Sequence, residues 1–304
     1  MRRVFQCSIV LLLSVGLFSQ AFATELWDPY LRGVSEGLAG GALPPPGVYG
    51  IVNNYWATYQ VYDQNGVSTG TRLDALVEVP IVLWATGKRL LGGNYAVALA
   101  LPFDYVNLRR TGGATLSGSG HWGKYNTVFV PGEIGWTVGA NLHVLAGLWV
   151  YANDASSSPA KLPSGGGVGS GNGFWTIEPV FGASWLRDGW NISASMHYSY
   201  NFEDQATRYK SGQEIAVDYT ATKTIGKLTI GVGAHQENQL QSDSGPGAAG
   251  CEYKHGCRVT NYGVGPLLSY HMGSVSLQFE YDHNLYAEND VAGEIYNVRI
   301  VGRF

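Results

Sequence analysis

Trp190-Asn191-Ile192-Ser193-Ala194-Ser195-Met196-His197-Tyr198-Ser199-Tyr200 alternates without a lapse. Trp190, Ile192, Ala194, Met196, Tyr198 and Tyr200 fall on one side; Asn191, Ser193, Ser195, His197 and Ser199 fall on the other. Successive side chains of a strand point to opposite faces, so this segment is a strand with one apolar wall and one polar wall. The same period recurs in both directions along the chain. Leu228, Ile230, Val232 and Ala234 alternate with Lys227, Thr229 and His235, and Val275, Leu277, Phe279 and Tyr281 with Ser276, Gln278, Glu280 and Asp282. Nearer the start, Leu73, Ala75, Val77, Val79, Ile81 and Leu83 oppose Arg72, Asp74 and Glu78, while Tyr95, Val97, Leu99, Leu101 and Phe103 oppose Asn94 and Asp104.

Collected over the chain, the pattern predicts about twelve strands, near 47–62, 70–86, 93–107, 126–137, 140–152, 173–186, 188–202, 208–224, 226–241, 257–272, 273–287 and 291–304. The even number suits a single-chain bacterial barrel, and so do the connections. The long polar or Gly/Ser-rich ones, 108–125, 153–172 and 242–256, all fall after odd strands, whereas Val138-Gly139, Arg187 to Gly189, Ile225-Gly226 and Met272-Gly273 follow even ones. The expected fold is therefore all-β, a transmembrane antiparallel up-and-down β-barrel whose apolar walls face lipid and whose polar walls face the lumen. Tyr49, Tyr62, Trp84, Tyr105, Tyr151, Trp185, Trp190, Tyr200 and Tyr270 stand near strand ends, where two interfacial belts are expected. Pro80, Pro102, Pro131, Pro179 and Pro266 each remove a ladder donor and predict bulges or strand ends.

Composition agrees. Of 304 residues only 14% are charged, 12% are aromatic and 42 are glycine, and the net charge of -4 comes without a basic stripe, which removes nucleic acid as a partner. Residues 1–23 read as a signal peptide: Arg2 and Arg3 precede an apolar core from Ile9 to Phe18 and an Ala21-Phe22-Ala23 cleavage pattern. Cys7 lies ahead of that core, out of place for a lipoprotein acceptor. No later segment offers a charge-free run long enough for a helical span. Residues 24–46, with Trp27, Tyr30, Leu31, Leu38 and the Pro44 to Pro46 run, form a periplasmic arm or a plug ahead of the barrel at 47–304. Cys251 and Cys257, six positions apart in an exported chain, predict a loop disulfide. A metal site recruiting His255 between them would lack a fourth ligand, so neither metal nor cofactor is expected.

The final strand ends Tyr296-Asn297-Val298-Arg299-Ile300-Val301-Gly302-Arg303-Phe304, with Tyr296 and Phe304 on the apolar face. It resembles the C-terminal targeting strand of outer-membrane proteins, which implies the barrel-assembly machinery and outer-membrane lipid as partners. The segment from Glu36 to Tyr49, with its Gly40-Gly41 and Pro44-Pro45-Pro46, followed by Asn53-Asn54-Tyr55, the Asp63 to Gly66 turn and the Ala98-Leu99-Ala100-Leu101-Pro102 strand, resembles the family of meta-pathway phenol degradation proteins. That resemblance implies an outer-membrane barrel of transporter type in a Gram-negative bacterium, with a hydrophobic or aromatic small-molecule substrate, and carries over no catalytic residues.

The expected lumen lining is Asp74, Glu78, Asp104, Glu133, Glu178, Glu214, Asp218, Glu280 and Asp282, with Arg72, Lys227, His235, Arg299 and Arg303 as counter-charges. This set either lines a passage or pairs into a network that closes it. His197 beside Ser195 and Ser199 reads as a hydrogen-bonded lumen histidine, and the chain has no Gly-x-Ser-x-Gly elbow, His-Glu-x-x-His or phosphate loop. A channel or transporter for small, hydrophobic or aromatic molecules is thus the leading expectation, and no enzyme. The alternative is a surface adhesin or structural barrel with a closed lumen and partner-binding loops.

Overall fold

The computed structural model describes residues 28–110, 120–156 and 170–304. The expected signal peptide and Trp27 lie outside the described residues. Fourteen strands among the described residues form one antiparallel sheet: β1 (Gly47–Tyr62), β2 (Ser68–Leu90), β3 (Gly93–Ala100), β4 (Phe103–Arg110), β5 (His121–Lys124), β6 (Val128–Thr137), β7 (Leu142–Tyr151), β8 (Thr176–Arg187), β9 (Trp190–Asn201), β10 (Glu214–Ile225), β11 (Leu228–Gln239), β12 (Thr260–Met272), β13 (Val275–Glu288) and β14 (Val291–Arg303). β3 and β4 pair with successive halves of β2, while β6 pairs with β3 and β5 with β4. β3 with β4, and β5 with β6, are thus each one interrupted barrel strand, so the wall has the expected twelve strands among the described residues.

β1 closes the barrel by pairing with β2 on one side and with β14 on the other, the latter from Tyr49 opposite Arg303 to Val61 opposite Val291. The prolines sit where the ladder bends. Pro102 lies in the break between β3 and β4, and Pro131 in a bulge of β6 between Phe129 and Gly132. At these breaks the Leu101 N–H donates to the Pro80 carbonyl (3.1 Å), Tyr125 N–H to the Pro102 carbonyl (2.9 Å) and Ala152 N–H to the Thr127 carbonyl (2.9 Å). The wall therefore bends without leaving those amides unpaired in hydrocarbon.

At the short-turn end, Asp188 (φ 50°) and Gly189 (φ 80°) supply the two positive φ values of a type I′ hairpin. At the other end lie the long connections. There the Asp63 carboxylate accepts from the Asn65 and Val67 amides, which hold its pKa below the usual range. The β11–β12 connection carries the Cys251–Cys257 disulfide, packed with Phe174, Tyr209 and Ala248.

The outer face of β8 to β14 is apolar, with Phe181, Ile192, Ile230, Leu268, Phe279 and Ile300 exposed. Trp84, Trp185, Trp190 and Tyr270 girdle the short-turn end, and Trp122, Trp175, Tyr200 and Tyr286 the other. Tyr49 and Tyr151, expected in these belts, instead turn inward and are buried. A second correction concerns β2: Leu73, Ala75 and Val79 are buried toward the lumen, so Arg72, Asp74 and Glu78 occupy the outer face.

Phe181 is 51% exposed at the middle of β8. Phe181→Arg would place a cation in hydrocarbon and is expected to lower the stability of the vesicle-inserted barrel by about 2–4 kcal/mol, read from urea refolding followed by Trp fluorescence. A change within a few tenths of a kcal/mol would contradict the lipid-facing assignment.

Candidate functional site

Residues 28–46 run through the lumen from the long-loop end to the short-turn end. They form overlapping turns, with Leu31, Gly33, Ser35 and Ala39 carbonyls accepting from the amides three positions on. Gly33 (φ 76°) and Gly37 (φ 78°) take the left-handed backbone that reverses the arm between these turns. At the upper end Arg32 is shared among Glu237 (2.8 Å), Asp290 (2.7 Å) and Asp28 (3.1 Å). Burial pushes the Asp290 carboxyl up to about 6 against the pull of that guanidinium.

Midway, Arg299 of β14 donates to the Glu36 carbonyl (2.6 Å), the Val34 carbonyl (2.7 Å) and Asn53 Oδ1 (2.7 Å). A buried cation thereby satisfies carbonyls that the arm's turns leave open. Asp218 of β10 does the complementary job, accepting from Tyr30 Oη (2.6 Å), Gly33 N (3.1 Å) and Ser35 N (2.9 Å). Below these, Gly37 N donates to Thr220 Oγ1 (2.8 Å) and Gly41 N to Ser184 Oγ (2.7 Å). Gly182 completes the seat: a Cβ there would stand 1.8 Å from the Gly40 carbonyl oxygen. At the lower mouth Tyr49 Oη donates to the Pro45 carbonyl (2.7 Å) and Arg303 Nη2 to the Pro46 carbonyl (2.8 Å).

The arm covers the polar half of the lumen and leaves a cavity of about 490 Å³ along the other half. Its apolar wall includes Tyr55 and Ala57 of β1, Val77, Val79 and Ile81 of β2, Ala98 of β3, Val130 of β6 and Trp149 of β7, with Tyr30, Leu31, Val34 and Leu38 facing it from the arm; Asp104, Glu133 and Ser195 are polar groups on its border.

Nine of the predicted lining residues are buried: Asp104, Glu133, Glu178, Glu214, Asp218, His235, Glu280, Asp282 and Arg299. Five lie elsewhere. Arg72 and Glu78 are exposed on the outer face, Asp74 pairs there with Arg109, Lys227 is exposed in the β10–β11 turn, and Arg303 sits at the lower mouth. Sequence reasoning missed Arg32 and Glu36, although they are the last charges before a run of small residues and prolines, which is the one available sign that they have partners.

Glu36, His235 and Asp282 converge beneath the arm, with His235 Nδ1 3.5 Å from Glu36 Oε1 and 3.9 Å from Asp282 Oδ2. Asn284 Oδ1 accepts from Gly293 N (2.9 Å), so Asn284 Nδ2 is the group facing His235 Nε2 (3.1 Å). A neutral ring then carries its proton on Nδ1, toward the carboxylates. The lone pair that a metal would need is not presented to the cluster.

A closed twelve-strand wall with apolar and aromatic outer faces and an internal arm defines an outer-membrane β-barrel. The family model described as "Putative MetA-pathway of phenol degradation" matches residues 58–300, and the chain belongs to that family. An outer membrane channel from Pseudomonas putida F1 is similar in structure, with TM-score 0.71 at 14% identity over 87% of this chain and 98% of that one. The translocator domain of the autotransporter NalP from Neisseria meningitidis (TM-score 0.45, 12% identity, 87% and 91% covered) and the CymD monoaromatic hydrocarbon channel (TM-score 0.39, 12% identity, 85% and 89% covered) align less well. No curated protein matches the chain.

Gly182→Val should unseat the arm while leaving the wall closed. Trypsin is expected to cut at Arg32 in the detergent-solubilised variant and to spare the parent, with heat-modifiable migration on gels retained. Equal protection of the two would contradict the seat.

Proposed function

We propose that this barrel is a channel for small apolar molecules, aromatic ones among them, which pass passively along the uncovered half of the lumen. The observation that carries this reading is the apolar wall of β1, β2, β3 and β6, which continues along the flank of an arm whose Tyr30, Leu31, Val34 and Leu38 side chains border the same cavity. Water gains little there, and an apolar solute desolvates at no electrostatic cost. Of the carboxylates expected to select cations, Asp104 and Glu133 border this cavity, while Glu280, Asp282 and Asp218 lie against the arm and Asp74 and Glu78 outside the wall, so most of the polar half acts as the arm's anchor. Membership of the phenol degradation family supports an aromatic substrate.

The test uses Gram-negative cells, in which lipopolysaccharide slows apolar solutes. Cells producing the chain should take up the fluorescent apolar probe N-phenyl-1-naphthylamine several-fold faster than cells without it. Val79→Lys, which sets a charge on the apolar wall, should return uptake to the baseline at equal barrel abundance. Unchanged uptake in the variant, or none above baseline in the parent, would overturn the reading.

A further inference from the structure

One polar group borders that passage without being needed for it. His197 and Ser195 stand two residues apart on the inner face of β9, and Glu178 lies on the neighbouring β8. His197 Nδ1 is 2.7 Å from Glu178 Oε1, and its Nε2 is 3.1 Å from Ser195 Oγ. An ionised carboxylate accepts only, so Nδ1 carries the proton and the neutral ring offers the Nε2 lone pair to the Ser195 hydroxyl. Glu178 is itself fixed, accepting from Tyr151 Oη (3.2 Å) on one oxygen and Ser199 Oγ (2.9 Å) on the other. The imidazole is clamped between the stacked Tyr30 ring, 3.8 Å between centroids, and the edge of Trp149 at 5.0 Å.

Glu178 and His197 are buried at 0% and 1% exposure, whereas Ser195 lines the apolar cavity. The relay therefore opens to a ligand at its hydroxyl end, the order that nucleophilic catalysis requires. The arm passes over the same point, since a Cβ on Gly40 would stand 3.1 Å from Ser195 Cβ. The Gly40 N–H has no acceptor among the described residues.

We propose that Ser195, His197 and Glu178 form an acyl-transfer centre that hydrolyses small esters of apolar or aromatic acids within the lumen. Ser195 Oγ bonds to the ester carbonyl carbon as its proton passes to His197 Nε2. The carbon–oxygen bond to the alcohol then breaks, and the alcohol leaves with that proton. Water gives a proton to Nε2 and its hydroxyl to the acyl carbon, the Ser195–acyl bond breaks, and the proton returns to Ser195. No electrons are exchanged, and water is the single co-reactant. Ser195 and His197 are the catalytic residues, and Glu178 positions the imidazole.

The experiment treats the refolded full-length mature chain with a fluorophosphonate probe, maps the labelled peptide by mass spectrometry, and follows p-nitrophenyl butyrate hydrolysis. A label on Ser195 is expected. Ser195→Ala should abolish that label and slow hydrolysis about 100-fold or more, and His197→Gln should do the same. Glu178→Gln should slow hydrolysis and move its pH profile, an effect that a packing role would not produce. Heat-modifiable migration confirms that each variant is folded. A folded parent that takes no label at Ser195, or hydrolysis that survives Ser195→Ala, would overturn the assignment and leave the uptake experiment untouched.

Discussion

A strand in hydrocarbon has nowhere to place an unpaired backbone N–H or carbonyl, and each such group costs several kcal/mol. Closure of β1 onto β14 is the constraint from which the rest of this structure follows. It fixes an even wall, sorts the long connections to one end, and forces each proline-induced break to be bridged by a neighbouring carbonyl, as at Pro80 and Pro102. It also fixes the diameter. Twelve strands enclose more space than their own side chains fill, and residues 28–46 occupy part of the difference.

The arm stays in place because its polar groups are paired with buried side chains of opposite need. Arg299 supplies donors to carbonyls, Asp218 supplies acceptors to amides, and Arg32 is shared by three carboxylates. Breaking a buried pair of this kind costs about 3–5 kcal/mol, because the partner is left charged and unsolvated. Several such contacts act together along one short segment, so the arm behaves as part of the wall. The charged half of the lumen is consumed in this way, and the apolar half is what remains for solutes.

The wall was legible in the sequence because alternation is local: the parity of β9, β11 and β13 reads off Trp190 to Tyr200, Leu228 to Val232 and Val275 to Tyr281 with the correct face outward. On β2 the same alternation has no sign. A period of two separates the faces without saying which is inside, and there the lumen wall is itself apolar, so Leu73, Ala75 and Val79 imitate a lipid-facing row. The parity of Trp84 was the available correction, since an interfacial tryptophan shares its face with Glu78 and not with Val79. The partners of the arm were not legible. Arg32 meets Glu237 and Asp290 across more than two hundred residues, and Asp218 meets Gly33 across nearly as many, contacts that no periodicity encodes.

The two halves of the lumen are thermodynamically dependent on each other. An apolar wall facing the inside of a barrel would be a liability if the opposite wall drew water through the whole cross-section, since a wet lumen gives an apolar solute no reason to enter. By hydrogen-bonding Asp218 and Arg299 and pairing Glu237 with Arg32, the arm lessens the demand of that wall for water. The polar network thus makes its contribution to permeation indirectly. It leaves beside the arm a cavity bordered by Val77, Val79, Ile81 and Trp149, the surface that the proposed passage of apolar solutes uses.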